Sequence, residues 1–508
     1  MSIELRSATI EDIEQVFKWR NDQWIVDLGT TGKTVSWDEH YAWFKETLLS
    51  EQRQMFIILN KTLSIGQVRF DRLDHNECEI SIYLMKEHTG QGLGSIFIRN
   101  ACQQIFGLWD INQVIATIKK DNYPSLSVFK KSGFLPFEIS SESDYVKLFL
   151  KRSPQVPHNR LTFGDEEVKA VSAVVASGYW AGGTQLKRLE TALSQRTQVA
   201  YAVGVGSGLG ALRLALKGLG IGTYDEVIVP AYSCVALANA VMSLGAKPIP
   251  VDVSKSDWNI DPQAAKKAIS PHTRAIIVVN TFGSPAAIPD LKSLNLPIIE
   301  DCSHALGIEL DTKILGNRSD VSILSFYATK LIGGGEGGAI LTNRSDVAKC
   351  VKDWRDYSDQ LPDPTRLNDK MNDLEAALAL CQLHRLDAML TARKQLANRY
   401  DEYLSPKAES TELFRLPSPS QNRVWYRYVI EMDSISASTV IRGLQDRGIQ
   451  AESPILDWRS DCYISNCPIA DRAFDRLVSL PLYPTLQLKE QEIVCQAFID
   501  VIKELFDV

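Results

Sequence analysis

Residues 298–338 read IIEDCSHALGIELDTKILGNRSDVSILSFYATKLIGGGEGG, and the chain is organised around them. The stretch opens on an apolar run, Pro297-Ile298-Ile299, that ends in Glu300-Asp301. It closes on Ser325-Phe326-Tyr327-Ala328-Thr329-Lys330 and a glycine cluster, Gly333 to Gly338, carrying the single acid Glu336. An apolar run ending in an acid predicts a buried strand with a carboxylate at its carboxyl end. Together with a lysine further on, that carboxylate suits pyridoxal phosphate, which needs an amine for its aldehyde and an anion to keep its ring nitrogen protonated. The lysine, once displaced by substrate, is free to move the Cα proton. Either residue alone fits an ordinary α/β domain, so the reading rests on the stretch as a whole.

A glycine turn upstream fits the same ligand. Ala200 to Val205 reads as a strand, and Gly206-Ser207-Gly208-Leu209-Gly210-Ala211-Leu212 leads from it into a helix. Backbone N–H groups at such a helix start hold phosphate well. Further strands are expected over Asp225 to Val229, Gly245 to Asp252 and Ala275 to Asn280, with helices over Asp165 to Ser177 and Thr184 to Gln195. This alternation predicts a mainly parallel sheet covered on both faces. Ala376 to Leu404 has apolar residues near every third or fourth position and is expected as one long amphipathic helix. From about residue 405 a smaller domain is expected, with a strand at Trp425 to Ile430 and a helix at Thr439 to Arg447.

At 508 residues the chain should hold two or three domains. Its apolar and charged fractions, 45% and 23%, are those of a globular protein. A net charge of −7 argues against a nucleic-acid surface. No run approaches the roughly twenty apolar residues of a membrane span, and MSIELRSATIEDIEQ lacks a signal-peptide core, so the cytoplasm is the expected compartment. The nine cysteines are scattered without a CxxC pair, indicating neither a zinc site nor a disulfide framework.

The first 152 residues have a different grammar. Ile3 to Ser7 alternates as a strand, Thr9 starts a helix through Val16 and Trp19, and residues 54–60 and 64–70 read as a hairpin. Cys78 to Leu84 is a strand, and Thr89-Gly90-Gln91-Gly92-Leu93-Gly94-Ser95 opens a helix over Ile96 to Phe106. Gln113 to Lys119 is a strand that leads to Asn122 and on to Phe134. Glu79, on the strand before the glycine turn, is the candidate general base, with Glu77 and His75 in reserve; an ordinary strand acid fits Glu79 equally well. Lys151 to His158, polar and interrupted by Pro154 and Pro157, reads as a short linker.

The central stretch resembles the DegT/DnrJ/EryC1/StrS family of sugar aminotransferases. Its E-D-x-x-[QH], S-F-x-x-x-K and G-E-G-G elements stand here in order at Glu300 to His304, Ser325 to Lys330 and Gly335 to Gly338. The resemblance implies PLP fold type I, with a large domain over 157–404 and a small α/β domain over 405–508. It implies Lys330 as the cofactor-binding amine, Asp301 on the ring nitrogen and His304 against the cofactor ring or its 3-oxygen. Ser325, Ser207, Gly208, Leu209 and Gly210 are implied around the phosphate, and Cys234 stands where the family stacks an aromatic on the ring. Leu209 replaces the family's threonine, so the amides of Leu209 and Gly210 are what remains of that contact. Asn368 falls where the family reaches the neighbouring subunit's phosphate, which implies a homodimer; Asp369 stands where an aromatic follows. Lys330, where some relatives have histidine, favours transamination. Glu452-Ser453-Pro454 replaces the family's H-Y-P segment on the substrate side.

The first 152 residues resemble the GNAT N-acetyltransferases, an α/β fold, through Gly92 and Gly94 of the pyrophosphate loop and the run from Asn122 to Phe134. The resemblance implies acetyl-CoA held by Gln91, Gly92, Gly94, Ser95 and Asn122. Thr89 replaces the usual arginine or glutamine, and Phe129 replaces a tyrosine proposed as general acid. Trp19-Arg20-Asn21-Asp22 resembles a motif of acetyltransferases acting on nucleotide-linked amino sugars. The two resemblances together imply a fused enzyme for surface-glycan precursors. It would transaminate a nucleotide-linked keto-deoxysugar, with glutamate as donor, and then acetylate the new amine.

Overall fold

The computed structural model describes residues 3–28, 33–60, 63–89, 94–109, 111–137, 144–152, 156–310, 313–356, 363, 366–418, 422–459 and 466–506. The chain forms two compact units, Met1–Ser153 and Pro154–Val508.

In the first unit β1 (Ile3–Ser7) precedes α1 (Ile13–Arg20), α2 (Gln23–Leu28) and α3 (Trp37–Leu49). Then come β2 (Arg53–Asn60), β3 (Leu63–Arg72), β4 (Glu77–Leu84), α4 (Gly94–Leu108), β5 (Gln113–Lys119), α5 (Tyr123–Lys131), β6 (Leu135–Pro136) and β7 (Tyr145–Lys151). The strands lie in the order β1-β2-β3-β4-β5-β7-β6. Side chains alternate across a strand. Phe56, Val68, Phe70, Cys78 and Ile80 therefore pack with α4 residues such as Ile98 and Ile105, while Met55 and Ile57 meet Val16, Trp19 and Phe44 from the other face. Trp19 is a core residue of this second cluster. Among the described strands of this unit β4 and β5 are the parallel pair, and they pair over three residues, the last pair being Glu79 and Ile115.

The second unit begins with α6 (Asp165–Ser177) and α7 (Thr184–Thr197), followed by β8 (Tyr201–Val205), α8 (Gly208–Gly218), β9 (Glu226–Pro230), α9 (Ala236–Met242) and β10 (Lys247–Val251). Next are α10 (Pro262–Lys267), β11 (Thr273–Val279), α11 (Ile288–Lys292), β12 (Ile298–Asp301), β13 (Glu309–Leu310), β14 (Lys313–Ile314), β15 (Val321–Ser325), β16 (Gly338–Thr342) and α12 (Ser345–Arg355). The main sheet runs β10-β9-β11-β12-β15-β16-β8, with β16 antiparallel to both its neighbours. Runs such as Ala275 to Val279 are apolar throughout because helices cover both faces. One cluster, with Leu212, Val229 and Ile277, fills one side; another, with Ile228, Ile276 and Leu291, fills the other.

The last segment holds α13 (Asp373–His384), α14 (Leu386–Thr411), β17 (Phe414–Arg415), β18 (Tyr428–Met432), α15 (Ala437–Gln445), α16 (Pro468–Arg476), β19 (Leu477–Leu480) and α17 (Leu488–Phe506). The single helix expected over Ala376–Leu404 is two helices, broken at Arg385. Two cores need two directions: Ala379, Leu380 and Leu383 of α13 pack with α7, whereas Leu396, Tyr400 and Leu404 of α14 pack with α15 and α17. The Arg385 side chain is held at the break by Glu167 of α6, at 2.6 Å. The strand expected from Trp425 starts instead at Tyr428; Trp425 and Tyr426 are buried in the loop before it. No helix among the described residues is long and apolar enough to cross a membrane.

Candidate active site

Carboxyl ends of parallel strands are where α/β sheets gather ligand-binding groups. Here Asp301 ends β12, Ser325 ends β15, and Ser207 and Cys234 follow β8 and β9. Asp301 is buried; its Oδ1 accepts the Ser303 backbone N–H at 2.9 Å. Burial raises its pKa, against the pull of Ser303 and the Lys330 cation. Lys330 Nζ stands 2.9 Å from His304 Nε2. Burial first, then Lys330 and Arg427, hold His304 well below the usual imidazole range, so the ring is neutral and accepts from the lysine. Its proton then sits on Nδ1, which is buried and has no partner among the described residues.

His304 is clamped by aromatics. Tyr426 stacks on it at 4.1 Å with rings 13° apart, and Phe282 lies parallel at 6.4 Å. Lys330 Nζ also sits 5.2 Å from the centre of the Tyr426 ring. Burial raises the Tyr426 phenol, but Lys330, Arg427 and a hydrogen bond with Thr329 outweigh it and bring the pKa below the usual tyrosine value. Arg393 of α14 fixes this loop by donating to the Tyr426 and Leu482 carbonyls at 3.1 and 2.9 Å.

The glycine turn is tight. A Cβ on Gly208 would stand 2.7 Å from Ser325 Cβ, so the two predicted phosphate elements touch. Ser207 Oγ accepts the Gly210 N–H at 3.0 Å. Ser207 Oγ therefore occupies the Gly210 N–H, one of the two amides expected at the phosphate, because the serine caps its own helix; Gly208 and Leu209 are the first helical residues, whose N–H groups have no partner within the helix. Leu209 and Cys234 are exposed. Tyr232, the aromatic nearest Cys234 in sequence, is buried against Trp258, Phe282 and Phe474 instead. Asn368 is exposed and its Oδ1 accepts the Lys370 N–H at 3.3 Å. Asp369, in place of an aromatic, is buried and pairs with Arg213, and its carbonyl accepts the Gly206 N–H at 2.8 Å. The 369–370 segment therefore packs on the turn of its own chain.

In the first unit Gln91 and Gly92 lie outside the described residues. Gly94 begins α4, where a Cβ would stand 2.9 Å from Val128, so close packing on α5 requires this glycine. Ser95 is half-buried behind it. Asn122 Oδ1 caps α5 by accepting the Ser125 N–H at 3.1 Å. Glu79 stands at the last paired register before β4 and β5 part, and accepts from Thr117 Oγ1 at 2.5 Å. Glu77 is held by Gln113, and His75 is exposed. Phe129 is in the core, edge-on to Phe134 at 5.0 Å.

Sequence reasoning passed over Tyr426, Arg427, His158 and Arg393 as site residues. The available signal was charge in apolar company: Arg427 interrupts Trp425-Tyr426-Tyr428-Val429, and Arg393 lies on the buried stripe of α14.

The model of the DegT/DnrJ/EryC1/StrS aminotransferase family matches residues 162–499, and that of the acetyltransferase (GNAT) domain matches residues 2–135. A dTDP-3-amino-3,4,6-trideoxy-alpha-D-glucose transaminase of Micromonospora megalomicea subsp. nigra is 30% identical over 356 residues, 66% of this chain and 94% of the relative. DesV of S. venezuelae, solved in complex with a ketimine intermediate, is 29% identical with a TM-score of 0.62, covering 69% of this chain and 98% of its own. NtdA of Bacillus subtilis, solved with bound PMP, is 27% identical with a TM-score of 0.61, covering 67% and 83%. The second unit has the architecture of these aminotransferases, and the chain belongs to the DegT/DnrJ/EryC1/StrS aminotransferase family, with a GNAT acetyltransferase domain ahead of the aminotransferase region.

Proposed function

We propose that the second unit transfers an amino group from glutamate to a keto carbon of a nucleotide-linked deoxysugar, using pyridoxal phosphate. We propose further that the first unit acetylates the new amine from acetyl-CoA. The observation that carries the first step is the meeting of Lys330, His304 and Asp301 at the strand ends, with Lys330 Nζ 2.9 Å from His304 Nε2.

The residues fit the cofactor. Gly208 and Leu209 offer amides at a helix start, and Ser325 stands against Gly208. The unpaired His304 Nδ1–H lacks the acceptor that a ring oxygen would supply. Asp301, costly to ionise where it is buried, suits a cationic ring nitrogen. When bound, the cofactor supplies an aldehyde and a ring that draws electrons from the broken Cα–H bond. Lys330 would be the amine that holds it, and its freed Nζ would accept the proton leaving the donor Cα in one half-reaction and deliver a proton to the sugar carbon in the other. The neutral His304, stacked on Tyr426, accepts from the lysine and so fixes where Nζ rests.

Two further expectations belong here. Leu161, Phe163, Tyr179 and Trp180 are exposed apolar side chains, Phe163 and Tyr179 at 70% and 79% exposure. A cavity of about 430 Å³ has Leu161, Phe163, Lys330 and Arg393 in its wall. This supports a homodimer in which Asn368 serves the neighbouring site. In the first unit, Glu79 at the parting of β4 and β5 is the proposed base that relieves the attacking amine of its proton, beside acetyl-CoA held near Gly94 and Ser95.

The test is mass spectrometry of the full chain with pyridoxal phosphate, glutamate, acetyl-CoA and a panel of UDP- and dTDP-linked 3- and 4-keto-6-deoxysugars, beside Lys330→Ala. The expected product is an amino sugar, acetylated only when acetyl-CoA is present, and absent with Lys330→Ala. A specific observation favours a second reading for the first unit. Phe129 is buried in the core and donates no proton, which suits a domain that binds without turnover. An amino sugar never acetylated above an enzyme-free control would select that reading.

A further inference from the structure

Residues 156–158, at the start of the described part of the second unit, run into a cavity lined by Thr329, next to Lys330 in the chain. Val156 pairs with Ile449: its N–H donates to the Gly448 carbonyl at 3.0 Å, and its carbonyl accepts the Gln450 N–H at 2.9 Å. This stitching delivers His158 to a polar cavity of about 210 Å³, whose walls include Thr329, Tyr426, Arg427, Gln450 and Glu452. Thr329 is the chain neighbour of Lys330. Arg427 and Lys330 also share Tyr426, their cationic groups standing 5.5 and 5.2 Å from its ring centre.

Among the described residues, Arg427 is held along one edge. Its Nη1 donates to His158 Nε2 at 3.3 Å and stands 4.0 Å from Glu452 Oε2. His158 is fixed in turn, with Nδ1 3.2 Å from Glu452 Oε2 and Nε2 2.8 Å from Ser479 Oγ. Glu452 is locked opposite Ser479 by a pair of backbone hydrogen bonds. Burial and two neighbouring arginines hold His158 down to about pKa 3, so it is neutral, donates through Nδ1 and accepts through Nε2. Arg427 Nε and Nη2 make no hydrogen bond with the described residues. A rigid guanidinium with one free edge matches the two oxygens of a carboxylate. Glu452 already offsets part of its charge, so the cavity suits a monoanion.

We propose that Arg427, held by His158 and Glu452, receives the carboxylate of the amino-acid donor, so that residues 156–158 set the donor preference of the aminotransferase site. Arg427 is the specificity residue, and His158 a positioning residue that acts through it. The proposal rests on the transaminase reading above and deepens it.

The test uses the full chain loaded with pyridoxal phosphate and follows the cofactor absorbance in each half-reaction separately, glutamate alone and then keto sugar alone. Arg427→Leu should raise the half-saturation for glutamate about 100-fold. It should leave that for the keto sugar unchanged and abolish calorimetric binding of glutarate, a dicarboxylate with no reactive amine. His158→Ala should raise the glutamate value about tenfold and lower the melting midpoint, since the buried ring's partners lose it. His158→Gln, which keeps an acceptor for Arg427 and a donor for Glu452, should restore most of it. Equal glutamate half-saturation in Arg427→Leu and the unchanged enzyme would overturn the proposal. A defect confined to the keto-sugar half-reaction would overturn it too, and would assign the cavity to the sugar. If the unchanged enzyme itself gives no Lys330-dependent cofactor band, the transaminase reading fails and takes this proposal with it; the variants are then not needed to tell the two failures apart.

Discussion

Burial and nearby cations keep two imidazoles of the second unit uncharged, His304 beside Lys330 and His158 beside Arg427. Glu452 faces His158 at 3.2 Å but is half exposed, so water screens its pull and burial with the two arginines prevails. Each imidazole has a folded pKa below the 6.5 of an exposed one. The unfolded chain therefore takes up protons that the folded chain refuses. The stability that neutrality confers is full above pH 6.5 and is lost, for His158, as the pH falls toward about 3. Each such imidazole adds about 1.4 kcal/mol per pH unit to the slope within its window. His158→Gln should flatten the acid side of the urea-unfolding stability profile by about that amount. An unchanged slope would mean that His158 already carries a proton in the folded chain.

At the scale of elements, the first turn of α8 depends on two close approaches. Gly208→Ala would drive a Cβ to 2.7 Å from Ser325, and neither atom can rotate away. The turn must shift, and the loss of one charge-assisted contact to phosphate is worth about 1.5–3 kcal/mol, a weakening of about ten- to hundredfold in pyridoxal phosphate titrations. Gly222→Ala, where a Cβ meets nothing, is the matched control. The second approach is Asp369 against Gly210, with Arg213 behind it. Asp369→Leu strips the carboxylate from a buried guanidinium and should cost about 3–5 kcal/mol in urea unfolding. Combining it with Arg213→Met should recover most of that, since an apolar pair of similar size avoids both desolvation costs. The break between α13 and α14 belongs to this scale too. Sequence periodicity reported the apolar stripe of both helices correctly, but a stripe does not say how many cores it serves.

For the whole molecule, Leu161, Phe163, Tyr179 and Trp180 near the start of the second unit are large apolar side chains left exposed. If a second copy covers them, Phe163→Glu with Trp180→Glu should give a monomer by sedimentation and lose transamination. The proposed acetyl-CoA binding by the first unit should be unaffected by these changes, since that unit has clusters of its own. A dimer that survives both charges would place the association face elsewhere.

The parallel sheet, the acid ending β12 and the lysine after β15 were legible in the residues themselves. Local pattern suffices for them: a strand buried on both faces must be apolar throughout, and a carboxylate or amine at its end is conspicuous. The open amides, the stacking of Tyr426 on His304 and the hold of His158 on Arg427 were not. Ser207 decides which N–H is free only once α8 has formed, and His158 meets Arg427 across 269 residues of sequence. Such contacts have no periodicity to betray them. They exist because the chain's own backbone pairing, Val156 on Ile449 and Glu452 on Ser479, brings distant polar groups into one buried space where each must find a partner.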